Sequence, residues 1–192
     1  MEFRAARTCL VFASAILLLS GSGCGSSNSG PPTAAELGQK YTLSSTDIPG
    51  WQVDANDPPK VLQEGTANDL ESVMDGGSST FTGAPGGGCT MSVYEKLLGT
   101  SPQTATFYAM YFGTDASATA IFNSQVQTNT ATDSISGFDP SVAAGYGALI
   151  SHTVFAHFGA MFFRLVVSGI TDATSAYQVA AQFLTVFKTE TN

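Results

Sequence analysis

Positive charge is scarce in this chain. Seven Lys and Arg stand against fifteen Asp and Glu over 192 residues, a net charge of −8. No cluster of basic residues interrupts that balance, so a phosphate backbone would be repelled. Nucleic-acid binding is excluded on this ground, and so is electrostatic docking on anionic lipid headgroups. Charge of either sign is thin, at 11% of residues against an average of roughly 25%. Ser, Thr, Gly, Asn and Gln supply much of the polar surface instead. Histidine occurs twice, cysteine three times and tryptophan once. There is no Gly-x-Ser-x-Gly elbow, phosphate-binding loop or zincin motif, and the glycines of Gly83–Gly88 lack the Lys-Ser/Thr of a nucleotide cradle.

What the chain does have begins at its start. Arg4 and Arg7 precede an apolar or small run from Cys9 to Leu19, and Ser20-Gly21-Ser22-Gly23 leads into Cys24. A basic segment, a short apolar stretch and small residues at the end describe an export signal. The run is shorter than the roughly 20 apolar residues of a spanning helix. Ser22-Gly23-Cys24 resembles the lipobox of bacterial lipoproteins, which implies cleavage before Cys24 and lipidation of its sulfur; Gly21 stands where that family prefers Leu. A plain secretory signal with Cys24 incidental is the alternative. Residues 1–23 form the signal peptide in this reading, and 24–36 form a flexible Gly/Ser/Pro tether with an r.m.s. reach of roughly 18 Å. With Cys9 removed and Cys24 acylated, Cys89 is left without a disulfide partner. The acyl chains hold the protein on the bacterial outer membrane or on the outer leaflet of the plasma membrane.

Residues 37–190 are expected to form a single globular domain. Leu43–Trp51 reads as one capped turn stopped by Pro49, with Trp51 entering a short extended piece. Asp54–Lys60 is a turn cluster. A short helix is expected over 67–74, capped by Thr66, and 76–88 is expected to be a long loop. Thr90–Leu97 alternates as a strand, with Met91, Val93 and Glu95 on one side and Ser92, Tyr94 and Lys96 on the other. Ala105–Phe112, apolar on both faces, is expected to be a central strand. Asp115 is expected to cap a helix that buries Ala118, Ile121, Phe122 and Val126, and 129–144 reads as a polar connection. Gly145–Ala156 and Ala160–Ser168 read as a second hairpin. A last helix follows, capped by Thr171 or Asp172, with Ala176, Val179, Ala180, Phe183, Leu184 and Phe187 in one stripe. The fold class is therefore α+β: an antiparallel sheet of four or more strands under packed helices, in ββα–ββα order after an N-terminal turn and weak helix.

The opening string Leu43-Ser-Ser-Thr-Asp-Ile-Pro-Gly-Trp51 resembles that of many small bacterial envelope lipoproteins. The chain is similar to the LpqN/LpqT-type lipoproteins of mycobacteria and to the extracellular sensor domains of some bacterial Ser/Thr kinases, with PsbP-like proteins at a distance. This resemblance implies a ligand- or partner-binding envelope domain and supplies no catalytic residues.

Side-chain chemistry gives little to an enzyme. Cys89 with His152 or His157 is the one nucleophile-and-base combination, but a thiol at a strand mouth reads better as a small buried hydrophobe. The two histidines, five residues apart, face opposite sides of a continuous strand, so no metal site is expected. Asp69, Glu71 and Asp75 do not have calcium-loop spacing. No cofactor is expected. The leading function is a lipid-anchored, non-catalytic, sensor-like module that takes an apolar small molecule or an envelope protein, with Trp51, Phe81 and Cys89 as the rim of its site. An envelope hydrolase using Cys89 and a structural or assembly lipoprotein are the alternatives.

Overall fold

Met91–Leu98 (β3) and Thr104–Tyr111 (β4), each buried on both faces along its middle, are the two strands on which the sheet is built. They pair antiparallel from Met91–Tyr111 to Leu98–Thr104. The computed structural model describes residues 30–192 apart from 67–68, 75–76, 85 and 148–149; the signal peptide and Cys24 lie outside the described residues. The chain enters through a helix, Ala34–Tyr41 (α1), closed by a capping box between Thr33 and Glu36. Two short strands, Gln52–Val53 (β1) and Lys60–Gln63 (β2), both pair with the outer edge of β3. A 3-10 turn at Leu70–Ser72 and a short helix, Ser78–Thr82 (α2), come before β3. After β4 follow Asp115–Asn129 (α3), Val142–Tyr146 (β5), Ser151–Phe158 (β6), Met161–Ser168 (β7) and Ala173–Thr191 (α4). The seven strands join one sheet in the order β1–β3–β4–β7–β6–β5, with β2 also paired to β3, along the same edge as β1. Every pairing is antiparallel. The α+β expectation is met.

Five local expectations need correction. Lys60–Gln63 is a strand, because Val61 and Leu62 are recruited by Val93 and Ser92 across the ladder. The helix expected over 67–74 shrinks to the Leu70–Ser72 turn. The 76–88 loop holds α2, whose Phe81 is pulled into the core. β5 takes the end of the 129–144 connection and the start of the expected Gly145–Ala156 strand, which folds back on itself so that Val142–Tyr146 pairs with His152–Ala156. Thr114 rather than Asp115 caps α3, accepting from the Ser117 N–H at 3.1 Å.

The sheet buries different side chains on its two faces. On the first, Val93, Leu97, Phe107, Val154, Phe163 and Leu165 meet Leu37 and Tyr41 of α1 and Ala176, Ala180, Phe183, Leu184 and Phe187 of α4. The Phe163 and Phe187 rings stack with centroids 4.7 Å apart, and Phe107 lies 4.9 Å from Phe187. On the second face, Tyr94, Tyr108, Met110, Phe155 and Phe162 meet Leu70, Phe81 and the Ala118, Ile121 and Phe122 stripe of α3. This second layer is partial. Past the Tyr94–Tyr108–Arg164–Phe155 row, the register brings up Lys96, Thr106, Val166 and Thr153, then Leu98, Thr104, Ser168 and Ser151. All eight are half-buried or exposed, so no helix among the described residues covers this half of the face.

Glu95 breaks the apolar pattern of the first face. It is fully buried; Oε2 accepts from the Leu43 N–H at 2.8 Å, and Oε1 has no partner among the described residues. Burial outweighs that hydrogen bond and, with the negative charge of Asp47 adding, pushes the carboxyl from 4.5 up to about 7. The folded state therefore holds this proton more tightly than the unfolded chain. The stability this confers is full below about pH 4.5, falls as the pH rises to about 7 and stays lost above it, a change on the order of 3 kcal/mol. Asp47, Asp54, Asp57 and Asp172 act in the opposite sense. Hydrogen bonds, chiefly from Ser44, Lys96, Lys60 and Ser175 respectively, hold them low, so their contribution is lost only as the pH drops through the carboxylate range. Glu95→Gln should abolish the decline between about pH 4.5 and 7 in urea titrations and be more stable than the parent at pH 8. An unchanged decline would mean that another group carries it.

Candidate functional site

The residues singled out as a rim are not brought together. Trp51 lies under the first face, 5% exposed, with its ring edge-on to Phe183 at 5.6 Å and closed off by Gly99, where an added Cβ would come within 3.1 Å of the indole. Phe81 and Cys89 belong to the core of the opposite face, and each is 3% exposed. Three buried side chains divided between two faces cannot line one opening. The glycines before Cys89 have a packing reason: a Cβ on Gly88 would fall 1.8 Å from the Thr82 carbonyl oxygen. That close approach lets the Cys89 N–H donate to the Phe81 carbonyl at 2.8 Å.

Neither histidine serves Cys89. The Cys89 thiol donates to the Met91 carbonyl at 3.3 Å, and burial pushes it up to about 12. His157, on the second face, approaches Thr119 and Asp115 of α3 and packs on Phe122. His152, on the first, lies under Tyr177 with Nε2 3.0 Å from the Ile170 carbonyl. Among the described residues no group of three or more His, Cys, Asp or Glu is placed to hold a metal ion.

A cavity of about 450 Å³ opens elsewhere, between the segment 131–141 and the first half of α4. That segment is laid against the sheet by the Asp133–Ala144 bridge, with N···O distances of 3.0 and 2.8 Å, and by Ile135, which is buried in the first core. Phe138 N–H and Ser141 N–H then close two turns, onto the carbonyls of Ile135 and Phe138. On the other side, Asp172 caps α4 through the Ser175 N–H at 2.8 Å. Tyr177 forms the fixed wall. Its hydroxyl donates to Asp133 at 2.7 Å, its ring stands at 86° to buried His152, and burial with the Asp133 bond pushes the phenol up to about 12. Ile135, Tyr177 and Ala181 provide the apolar part of the lining, and Ser134, Ser136, Thr174 and Gln178 the hydrogen-bonding part. Among the described residues no charged side chain lines it. In sequence these residues read as ordinary loop and helix surface; the two available signals were Ile135, apolar in a polar stretch, and Tyr177, outside the α4 stripe.

No family model matches the chain, and no curated protein matches it. The fold has a solved counterpart, the extracellular domain of PknH from Mycobacterium tuberculosis. The two are 13% identical with a TM-score of 0.51, over 83% of this chain and 98% of that one. At that identity the likeness is one of fold. It agrees with the architecture implied by the resemblance to extracellular sensor domains. No helix among the described residues is long and apolar enough to cross a membrane.

The environment of Cys89 leaves about a thousandfold less thiolate than an ordinary cysteine at pH 8. Iodoacetamide is therefore expected to leave Cys89 unmodified in the folded protein and to modify it fully in urea. Rapid labelling of the folded form would restore the thiol as a nucleophile.

Proposed function

We propose that this chain is a lipid-anchored, non-catalytic binding module of the bacterial cell envelope, sensor-like in that it holds a ligand without transforming it. The uncharged cavity beside α4 is the observation that carries this reading. Its volume falls within the roughly 300–1,000 Å³ of small-molecule sites. Tyr177, tied through both its hydroxyl and its ring, gives the ligand a wall that need not be ordered on binding. A lining of hydroxyls and one amide around Ile135, Ala181 and the Tyr177 ring suits a neutral molecule with an apolar body and a few polar groups. A charged ligand would enter without a counter-charge. Cys89, bonded only to backbone and held as a thiol, supports a non-catalytic role. The lipobox-like approach to Cys24 supports acylation and an address on the outer membrane or the outer leaflet of the plasma membrane.

The protein purified from membranes in mild detergent tests both halves of the proposal by native mass spectrometry. The expected polypeptide begins at an acylated Cys24 and carries a small-molecule adduct. Ala181→Trp, which fills the cavity, should remove the adduct and leave the melting temperature within a few degrees of the parent. A chain that is always empty, or an adduct indifferent to Ala181→Trp, would contradict the binding site. An unmodified Cys24 would contradict the anchor.

A further inference from the structure

The lining of the cavity beside α4 has a chemistry of its own. Thr174, Tyr177, Gln178 and Ala181 follow one another at i, i+3, i+4 and i+7, so they form one stripe along the helix. It runs beside the Ala176, Ala180, Phe183 and Leu184 stripe that enters the first core. The solvent side of a helix normally carries charge, yet α4 has no charged residue between Asp172 and Lys188. On the other wall, Ser134 and Ser136 flank Ile135; the isoleucine is buried in the core, and both serines are exposed. Three hydroxyls and one carboxamide therefore line a single opening.

Each of those four groups both donates and accepts hydrogen bonds, and Ser134, Ser136, Thr174 and Gln178 are all exposed to water before a ligand arrives. A ligand that displaces this water without replacing its hydrogen bonds loses affinity. A wholly apolar molecule has little to set against that loss. Ile135 is only 5% exposed already, so covering it removes almost no further apolar area from water. An ion is suited no better. Asp133 and Asp172 adjoin the lining in sequence without being part of it, and they are engaged by the Tyr177 hydroxyl and by Ser175. Their charge repels an anion, and no carboxylate in the lining neutralises a cation. Tyr177 is packed against the first core and half-buried, with its O–H given to Asp133, so what it offers a ligand is the ring. The negative face of such a ring attracts C–H groups polarised by neighbouring oxygens.

We propose that this cavity is a saccharide site, taking a neutral sugar whose C–H face lies on the Tyr177 ring and whose hydroxyls bond Thr174, Gln178, Ser134 and Ser136. The proposal rests on the binding reading of the same cavity and narrows it to one ligand class, with the sugar's C–H face as the apolar body. Spaced hydroxyls that donate and accept are the complement of a lining that does both, and neutrality matches the missing charge. Cleavage of a glycosidic bond needs two carboxyl groups astride it; the lining supplies neither, so the sugar is held and not cut. A free oligosaccharide and a stretch of envelope glycan present the same chemistry to the site.

The test uses the full-length chain purified from its own bacterium in a detergent without a sugar headgroup. The probes are oligosaccharides released from that bacterium's envelope by partial acid hydrolysis and divided into neutral and anionic pools. In saturation-transfer difference NMR, magnetisation should pass from the protein to ring C–H protons of the neutral pool and not to the anionic pool. Gln178→Ala, at an exposed position, should weaken binding about fivefold or more, and Ala181→Trp should abolish it, with circular dichroism of both variants matching the parent. Co-sedimentation with the insoluble envelope glycan, competed by the neutral pool, would make the source a glycan chain; binding of the pool without co-sedimentation would make it a free sugar. No transfer to the neutral pool overturns the proposal, as does equal transfer to the anionic pool or binding indifferent to both variants. The two readings fail separately. If no sugar binds but a native adduct persists that Ala181→Trp removes, the saccharide assignment falls and the binding site stands; if neither is seen, both fall.

Discussion

A sheet with two apolar faces needs two layers of cover, and this chain has one full layer and part of another. Five strand steps make the sheet roughly 24 Å wide. At about 1.5 Å per residue, α4 is roughly 28 Å long and α3 roughly 22 Å. α4 packs on the first face and α1 lies alongside it, tied by the Tyr41–Thr191 hydroxyl contact at 2.9 Å and by Lys40 on the Glu190 carbonyl. The face they cover holds the stacked Phe163–Phe187 pair and Phe107. Aromatic pairs of this kind contribute about 0.5–1.5 kcal/mol each beyond the area they bury, and removing one ring from such a core typically costs about 3–5 kcal/mol. On the second face α3, α2 and the 3-10 turn reach only part of the way. The chain matches its residues to that shortfall: mainly aromatic and apolar side chains under the helices, and beyond them threonines, serines and Lys96 with Val166 and Leu98.

The division between layers also decides where chemistry can occur. Cys89 and Trp51, the two side chains that look most reactive or most adhesive in the sequence, are used up as packing on opposite faces. The openings arise at layer boundaries instead. One is the seam between α4 and segment 131–141, where Tyr177 is held by Asp133. The other is the half of the second face that no helix among the described residues covers. Glu95 is the cost the core tolerates near α1: a carboxyl removed from water, with only the Leu43 N–H on one of its oxygens. It fastens the turn leading to Trp51 onto β3.

Much of the scaffold was legible because burial on one side imposes a period. The α4 stripe from Ala176 to Phe187 and the two-faced apolar run of β4 follow from side-chain spacing alone, and both are found. What escaped was whatever owes its form to a distant partner. Lys60–Gln63 is too short for a period and becomes a strand only by lying on β3. β5 and β6 formed one apolar run in sequence, since no alternation marks the reversal after Tyr146. α2 is hidden among glycines and serines and is fixed by Phe81 entering the second core. The cavity was illegible for a similar reason. Ser134 and Ser136 meet Thr174 and Gln178 only because the Asp133–Ala144 bridge folds the loop against α4. Trp51 misled because an isolated tryptophan after Pro-Gly looks exposed, whereas Gly99 and Phe183 close over it.

The unequal cover of the two faces is the claim from which both openings follow, and methyl relaxation by a soluble paramagnetic probe reads it directly. The methyl groups of Thr106, Val166 and Thr153 should relax strongly, and those of Val93, Val154 and Leu165 on the first face should be untouched. If Thr106, Val166 and Thr153 are as protected as Val154, the second face is roofed after all and the account is wrong.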